Sequence, residues 1–220
     1  MTDQPMQGRV ALVAGASRGI GAVTARAFAA AGASVVLGSR DVGALESVAN
    51  DIQAGGGRAV AVQADVTDVD SMQALVGRAV TAYGRLDYAF NNAAGGPMPA
   101  PLADLDPAEF DLGIATNIRG TFLGMKFQIG AMLASGGGAI VNMASVAGVN
   151  GTANLAAYVA GKAGWPWSSG PAGASAPSPL RRSRRPARRL CWALVTSVPW
   201  NPWRATSKPA EDGPLPSRPM

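Results

Sequence analysis

The sequence predicts an α/β fold: a doubly wound parallel sheet, incomplete at its C-terminal side. Three observations carry that expectation. Short apolar runs recur, and they are continuous rather than alternating, as in strands covered on both faces. Each run is followed by a segment with helical periodicity, giving βαβαβαβαβ and then the start of another helix. This order stops at about Gly164, where the composition changes abruptly.

The elements follow in order. Arg9-Val-Ala-Leu-Val-Ala14 reads as a buried strand ending at glycine. Gly19 to Ala31 reads as a helix in which Ile20, Val23, Ala27 and Phe28 recur on one face, stopped by Gly32. Val35 to Gly38 is a second strand, and Val42 to Ala54 a second helix ended by Gly55-Gly56-Gly57. Ala59 to Gln63 is a third strand. Val69 to Tyr83 is a third helix with Met72, Leu75, Val76 and Val80 inward, and Leu86 to Phe90 is a fourth strand. Pro97 to Asp106 is a polar loop. Pro107 suits the first position of a long helix reaching about Leu133. Ala139 to Met143 is a fifth strand, and a helix begins near Tyr158.

Composition divides the 220-residue chain in two. Residues 1–164 hold ten Lys/Arg and twelve Asp/Glu; residues 165–220 hold nine and two, so the basic charge belongs to the tail. The tail also holds all five tryptophans and eleven of the sixteen prolines. A single cysteine, Cys191, excludes an intrachain disulfide and fits a reducing compartment. With no histidine, histidine metal ligation and imidazole base chemistry are excluded, and no metal is expected. The polar start carries no signal-peptide pattern and no apolar run approaches a membrane span. The expected location is cytoplasmic, without a membrane partner.

Two groups of residues carry chemistry. Gly15-Ala-Ser-Arg-Gly19-Ile-Gly21 lies between the first strand and first helix. Glycines there permit a tight turn and close approach of a pyrophosphate to a helix N-terminus. The spacing is not the usual G-x-G-x-x-G, and a Gly-rich turn serving only packing is the alternative. Arg18 in the glycine-rich turn and Arg40 after the second strand offer guanidinium groups to a 2′-phosphate, favouring NADP(H) over NAD(H). The acid that an NAD site wants has one candidate, Asp41, one or two places late. The second group is Ser145, Tyr158 and Lys162. Tyr and Lys four apart share a helix face, and a nearby ammonium favours a phenolate. Taken singly, each also reads as an ordinary turn or surface residue.

Residues 9–164 closely resemble the classical short-chain dehydrogenases/reductases in motif content and order. The glycine motif, with Ala14 where the family often has Thr, is joined by Asp65 after the third strand. Asn91-Asn-Ala-Ala-Gly95 follows the fourth, Asn117 lies in the long helix, and Ser145 and Tyr158-Val-Ala-Gly-Lys162 complete the set. The resemblance implies a Rossmann-like domain over 1–164 and a reversible hydride transfer between nicotinamide and a small carbonyl or alcohol substrate. It implies that Tyr158 is the acid/base, that Ser145 polarises the substrate oxygen and that Lys162 holds the nicotinamide ribose. Asn117 would hold a relay water. Gly15, Ser17, Arg18, Gly19, Ile20, Gly21, Arg40, Asp65, Val66, Asn91, Ala93, Tyr158 and Lys162 would contact the cofactor. Members are commonly dimers or tetramers through their long helices, so a homo-oligomer is expected if the fold is intact.

The tail departs from the family pattern. Trp165-Pro-Trp is expected to stop the helix of Tyr158. Residues 165–220 read as a largely disordered Pro/Arg/Trp-rich tail in which no family strand, Pro-Gly loop or substrate-covering helix is recognisable. Leu190 to Val198 is the one short apolar segment, a strand or a short helix. Six arginines in 181–189 have the charge for phosphate contact but no aromatic interleaving, which disfavours nucleic acid as a partner. The missing elements leave two functions open: an active oxidoreductase, or a catalytically inactive nucleotide-binding remnant. The bases TGG-CCC-TGG-TCG-TCC can encode Trp165-Pro-Trp-Ser-Ser169. Shifted by one preceding C, they encode Leu-Ala-Leu-Val-Val, an apolar helix continuation. A reading-frame shift near codon 165 is the hypothesis this suggests. Sequencing the DNA is expected to show a strand, a Pro-Gly loop and a further strand in the alternative frame, and their absence there sinks the idea.

Overall fold

The computed structural model describes residues 4–163 and the strand Leu190–Val195. The proline-rich segment from Trp165, the arginine run and the residues after Val195 lie outside the described residues, as do the expected helix stop at Pro166 and the expected disorder of the tail.

Among the described residues six strands form one sheet in the order β3-β2-β1-β4-β5-β6. They are β1 (Val10–Ala14), β2 (Ser34–Ser39), β3 (Arg58–Gln63), β4 (Tyr88–Asn91), β5 (Gly138–Met143) and β6 (Leu190–Val195), and every neighbouring pair is parallel. The order reverses at β1, between β2 and β4, and such a switch point opens a crevice at the strands' carboxyl ends. β6 pairs with β5 from Gly138↔Leu190 to Met143↔Val195. The short apolar segment of the tail is thus a strand, placed where the sequence offered no recognisable sixth one.

Helices α1 (Gly19–Ala30) and α2 (Val42–Ala54) cover one face of the sheet, and α3 (Val69–Tyr83) and α5 (Gly120–Ala134) the other. Strand alternation feeds both cores. Leu12 and Val36 pack with Met72, Leu75 and Leu123. Val13, Val35 and Leu37 pack with Ala25, Leu45 and Ile52. β1 is buried along its whole length, which is why it reads as a continuous apolar run.

Three helix expectations need correction. α1 turns Gly21, Ala22 and Ala25 inward, while Ile20 and Val23 are 59% and 66% exposed and Ala27 is also exposed. The helix lies so close to the sheet that only small residues fit beneath it. In α3 the inward position is taken by Ala79, and Val80 is exposed. The long helix from Pro107 is continuous but not uniform. α4 (Pro107–Ile114) passes through a π-helical turn, Ala115–Arg119, before α5. A short α6 (Ala156–Ala163) follows the 3-10 turn Val146–Gly148. Among the described residues no helix is long and apolar enough to cross a membrane.

At the amino-terminal ends of the central strands, Asp87 ties β1 to β4. Its carboxylate accepts from Arg9 Nη1 at 2.8 Å, Arg85 Nε at 2.7 Å, Arg85 Nη2 at 2.5 Å and the Val10 N–H at 3.0 Å. Burial by itself raises the Asp87 pKa, but the hydrogen bonds from Arg85, Arg9 and Val10 outweigh it and hold the carboxyl below its ordinary range. A depressed pKa stabilises the fold above the ordinary carboxylate value, and that stability is lost as pH falls through the native value. Asp87→Asn is therefore expected to cost about 2–3 kcal/mol near neutral pH, below the roughly 3–5 kcal/mol of a fully buried pair because both arginines are partly exposed. Urea unfolding near neutrality and in acid checks this; a gap between the two proteins that fails to narrow in acid contradicts it.

Candidate active site

Gly15 ends β1 with φ +82°, and a Cβ there would lie 2.6 Å from the Ala93 nitrogen. Gly21 is tighter: its Cβ would lie 2.0 Å from the Gly15 oxygen. Asn92 Nδ2 donates to that same oxygen at 3.0 Å. Gly19 differs from both. It needs its glycine for φ +55°, and the space above it is open. The first turn of α1 has no side-chain cap and no acidic residue, so its N–H groups suit an anion arriving over Gly19.

A cleft of about 320 Å³ opens there, lined by the Gly15–Ile20 turn (Gly15, Ser17, Arg18, Ile20), Ser39 and Arg40 after β2, Ala64 to Val66 after β3, Asn92 to Ala94 after β4, and Thr116. Asp65 Oδ1 accepts from the Thr67 N–H and Oγ1, both at 2.8 Å. Burial raises the Asp65 pKa, yet the two Thr67 hydrogen bonds and the Arg40 charge together hold it below the ordinary value. The carboxylate stays ionised, an acceptor near the Arg40 guanidinium. Asp41 is turned elsewhere: it caps α2, accepting from the Ala44 N–H at 3.0 Å.

The cleft holds most of the residues expected to touch a cofactor, and it adds Ser39, Ala64, Asn92, Ala94 and Thr116. Asn92 and Thr116 adjoin positions already singled out. Asn91 braces the sheet beside the cleft. Its side chain is buried, donating to Gln128 Oε1 at 3.0 Å and Asn142 Oδ1 at 2.8 Å and accepting from Gln128 Nε2 at 2.8 Å. It ties β4 to α5 and β5 and is not in the cleft lining. Gly19 and Gly21 shape the cleft without lining it.

The second group sits beyond the cleft. Ser145 follows β5, and its Oγ accepts from the Ala147 N–H at 3.2 Å. That contact uses the oxygen as acceptor and leaves the hydroxyl proton to donate. Tyr158 is half-buried on α6, and a Cβ on Gly96 would lie 3.7 Å from its Cβ. Lys162 is only 5% exposed. Its Nζ lies 5.8 Å from the Tyr158 ring centroid and donates to the Met143 oxygen at 3.2 Å. Burial lowers the Lys162 pKa from 10.5 to about 8. Asn117 lies in the π-turn, donating from Nδ2 to the Gly95 oxygen at 2.5 Å and the Gly113 oxygen at 2.8 Å. Its Oδ1 is buried without a donor among the described residues. Gly161 brings α6 against it, since a Cβ there would lie 2.9 Å from the Asn117 Cβ. Among the described residues no cluster of three or more His, Cys, Asp or Glu could hold a metal ion.

Residues 9–166 match the short chain dehydrogenase family. The chain belongs to that family. It is 45% identical over 156 residues to a cis-4-hydroxycyclohexanecarboxylate dehydrogenase of Sinomonas cyclohexanicum, matching 71% of this chain and 62% of that protein. It is 40% identical over 156 residues to a cyclohexanol dehydrogenase of Acinetobacter sp. (strain SE19), again 71% of this chain and 62% of the relative. This short-chain dehydrogenase thus spans about 62% of the length of these curated relatives. A metagenomic short-chain oxidoreductase solved in complex with NADP has a TM-score of 0.68 to it at 41% identity, covering 74% of this chain and 72% of that one.

A native Lys162 pKa below the unfolded value costs stability. The cost is full below about pH 8 and is relieved as pH rises toward 10.5. At about 1.4 kcal/mol per unit, and less roughly 1 kcal/mol for the lost bond to the Met143 oxygen, Lys162→Met is expected to stabilise the fold by about 2 kcal/mol near neutrality. Denaturant unfolding across pH 6 to 10 measures it. A gain that grows above about pH 8 has the wrong sign.

Proposed function

We propose that this short-chain dehydrogenase is an NADP(H)-dependent oxidoreductase acting on small cyclic secondary alcohols or the matching ketones. The carrying observation is the cleft at the sheet's switch point, lined by two arginines and an ionised Asp65, with the first acid after β2, Asp41, engaged as a helix cap. The NADP complex of the metagenomic relative and the cyclohexane-ring names of the two curated relatives point the same way.

The residues fit the cofactor. The first turn of α1 would take the pyrophosphate, Arg18 and Arg40 the 2′-phosphate, and Asp65 with Val66 the adenine. When bound, the nicotinamide supplies or accepts the hydride at C4. The chain's own residues do the rest. In reduction Tyr158 Oη gives a proton to the carbonyl oxygen, and in oxidation it takes one from the alcohol. The Ser145 hydroxyl donates to the same oxygen as charge develops there. Lys162 would hold the ribose hydroxyls, with its Nζ 5.8 Å from the centre of the Tyr158 ring. Asn117, with a buried acceptor beside α6, is the site for a relay water. Cytoplasmic residence and self-association belong to the same proposal.

NADPH titration of the purified full chain, then turnover with cyclohexanone and related ketones, is the test. The expected outcome is saturable binding and turnover, with Tyr158→Phe abolishing turnover but not binding. Arg40→Ala is expected to weaken NADPH roughly 10–100-fold while leaving NADH nearly unchanged, the span of one charge-assisted hydrogen bond. Binding without turnover in the parent chain identifies the nucleotide-binding remnant; no binding overturns both readings.

A further inference from the structure

We propose that Arg119 is a positioning residue, a strut through which occupancy of the adenosine end of the cleft tightens the turn that carries Asn117. The proposal rests on the reading of the cleft as a nucleotide site. Arg119 Nη1 donates to the Thr67 oxygen. Thr67 is the residue whose N–H and hydroxyl hold the Asp65 carboxylate. The next residue, Gly120, seats the same loop against the helix backbone. A Cβ there would lie 2.8 Å from Val66 Cγ2 and 3.2 Å from the Val66 oxygen. The loop that lines the cleft with Asp65 and Val66 is thereby fastened to the helix at the end of its π-turn.

The other end of that turn reaches the candidate catalytic residues. Thr116 lines the cleft, and Asn117 holds the Gly95 and Gly113 oxygens. Gly95 precedes Gly96, which borders Tyr158, and Asn117 itself abuts Gly161 of α6. Arg119 is exposed, so its guanidinium is not needed to fill the core. A π-turn carries one extra residue in a helical ladder, and such turns occur frequently at functional sites. Such an element can be biased by a contact at one end and felt at the other.

Amide hydrogen exchange on the full chain, with and without adenosine 2′,5′-bisphosphate, tests the strut without any turnover. The nucleotide is expected to slow exchange at residues 115–121 about tenfold, mid-range for coupled sites. Arg119→Met should still show protection at residues 65–67 but lose it at 115–121, and Arg119→Lys, which keeps a cationic donor, should restore it. A merely structural role would speed exchange at 115–121 equally with and without nucleotide, and that result overturns the strut. So does protection in Arg119→Met equal to that of the parent, or nucleotide bound to the parent with no protection at 115–121. If the nucleotide does not bind the parent at all, the strut falls together with the nucleotide reading of the cleft.

Discussion

The Gly15 peptide is the constraint on which the rest of this structure depends. Its N–H and that of Ala16 both donate to the Gly38 oxygen, at 2.7 and 3.1 Å, which fixes the end of β1 to the end of β2. Its oxygen accepts from Asn92 at the end of β4 and stands where Gly21 would carry a side chain. Three strand ends and the start of α1 therefore meet around one peptide. Any Cβ at Gly15 or Gly21 strikes backbone, which cannot yield as a flexible side chain could. The close approach aims the first turn of α1 across the strand ends. It also sets Arg18 and Arg40 on one rim, and the cleft follows from that geometry.

The same close approach explains what the sequence could and could not reveal. Continuous apolar runs identified five of the strands, because a strand covered on both faces has no polar alternation to confuse it. α2 also read correctly, since Leu45, Val48 and Ile52 are both the bulky residues and the buried ones. In α1 those two properties separate. Helix and sheet are so near that Ala22 and Ala25 make the contact, and periodicity weighted toward bulk selects Ile20 and Val23 on the wrong face. Val80 misleads in the same way, with Ala79 beneath it. The π-turn left no local sign, because Ala115–Arg119 is compatible with an ordinary helix; its register is set by Val66 against Gly120 and by α6 against Asn117. The motif residues were legible as chemistry, but the division of labour inside the Asn91-Asn92 doublet was not. One side chain braces the sheet through Gln128 and the other braces the glycine turn, a distinction that needs three dimensions.

Lys162 shows the opposite balance, in which packing works against the residue it surrounds. Gly148 and Gly161 let backbone close around α6 on two sides; a Cβ on Gly148 would lie 2.9 Å from the Lys162 oxygen. Burial of the side chain removes water from the ammonium and lowers its pKa to about 8. The bond to the Met143 oxygen offsets part of the desolvation. What the fold gains is an ammonium held over the Tyr158 ring instead of swinging in solvent. A charge in a less screened setting acts more strongly on its neighbour, so the burial that costs stability is also what would make Lys162 effective in proton transfer. Stability and the proposed chemistry are set against each other at this residue.

The proposed preference for a 2′-phosphate has an equally local origin, in where α2 begins. Asp41 is the first acid after β2, and its carboxylate is held at the start of α2, outside the cleft lining. The helix has it: Oδ1 accepts from Ala44, a cap of about 1 kcal/mol, while the Asp41 N–H donates to Ser39 Oγ at 3.3 Å and sets the turn. Arg40, one residue earlier, then falls on the cleft side, where its charge already lowers the Asp65 pKa. Starting α2 one residue later would release Asp41 from the cap and bring an acid toward the ribose. The cofactor choice argued here is thus a matter of helix register: the capping bond holds the acid away and leaves the cleft basic.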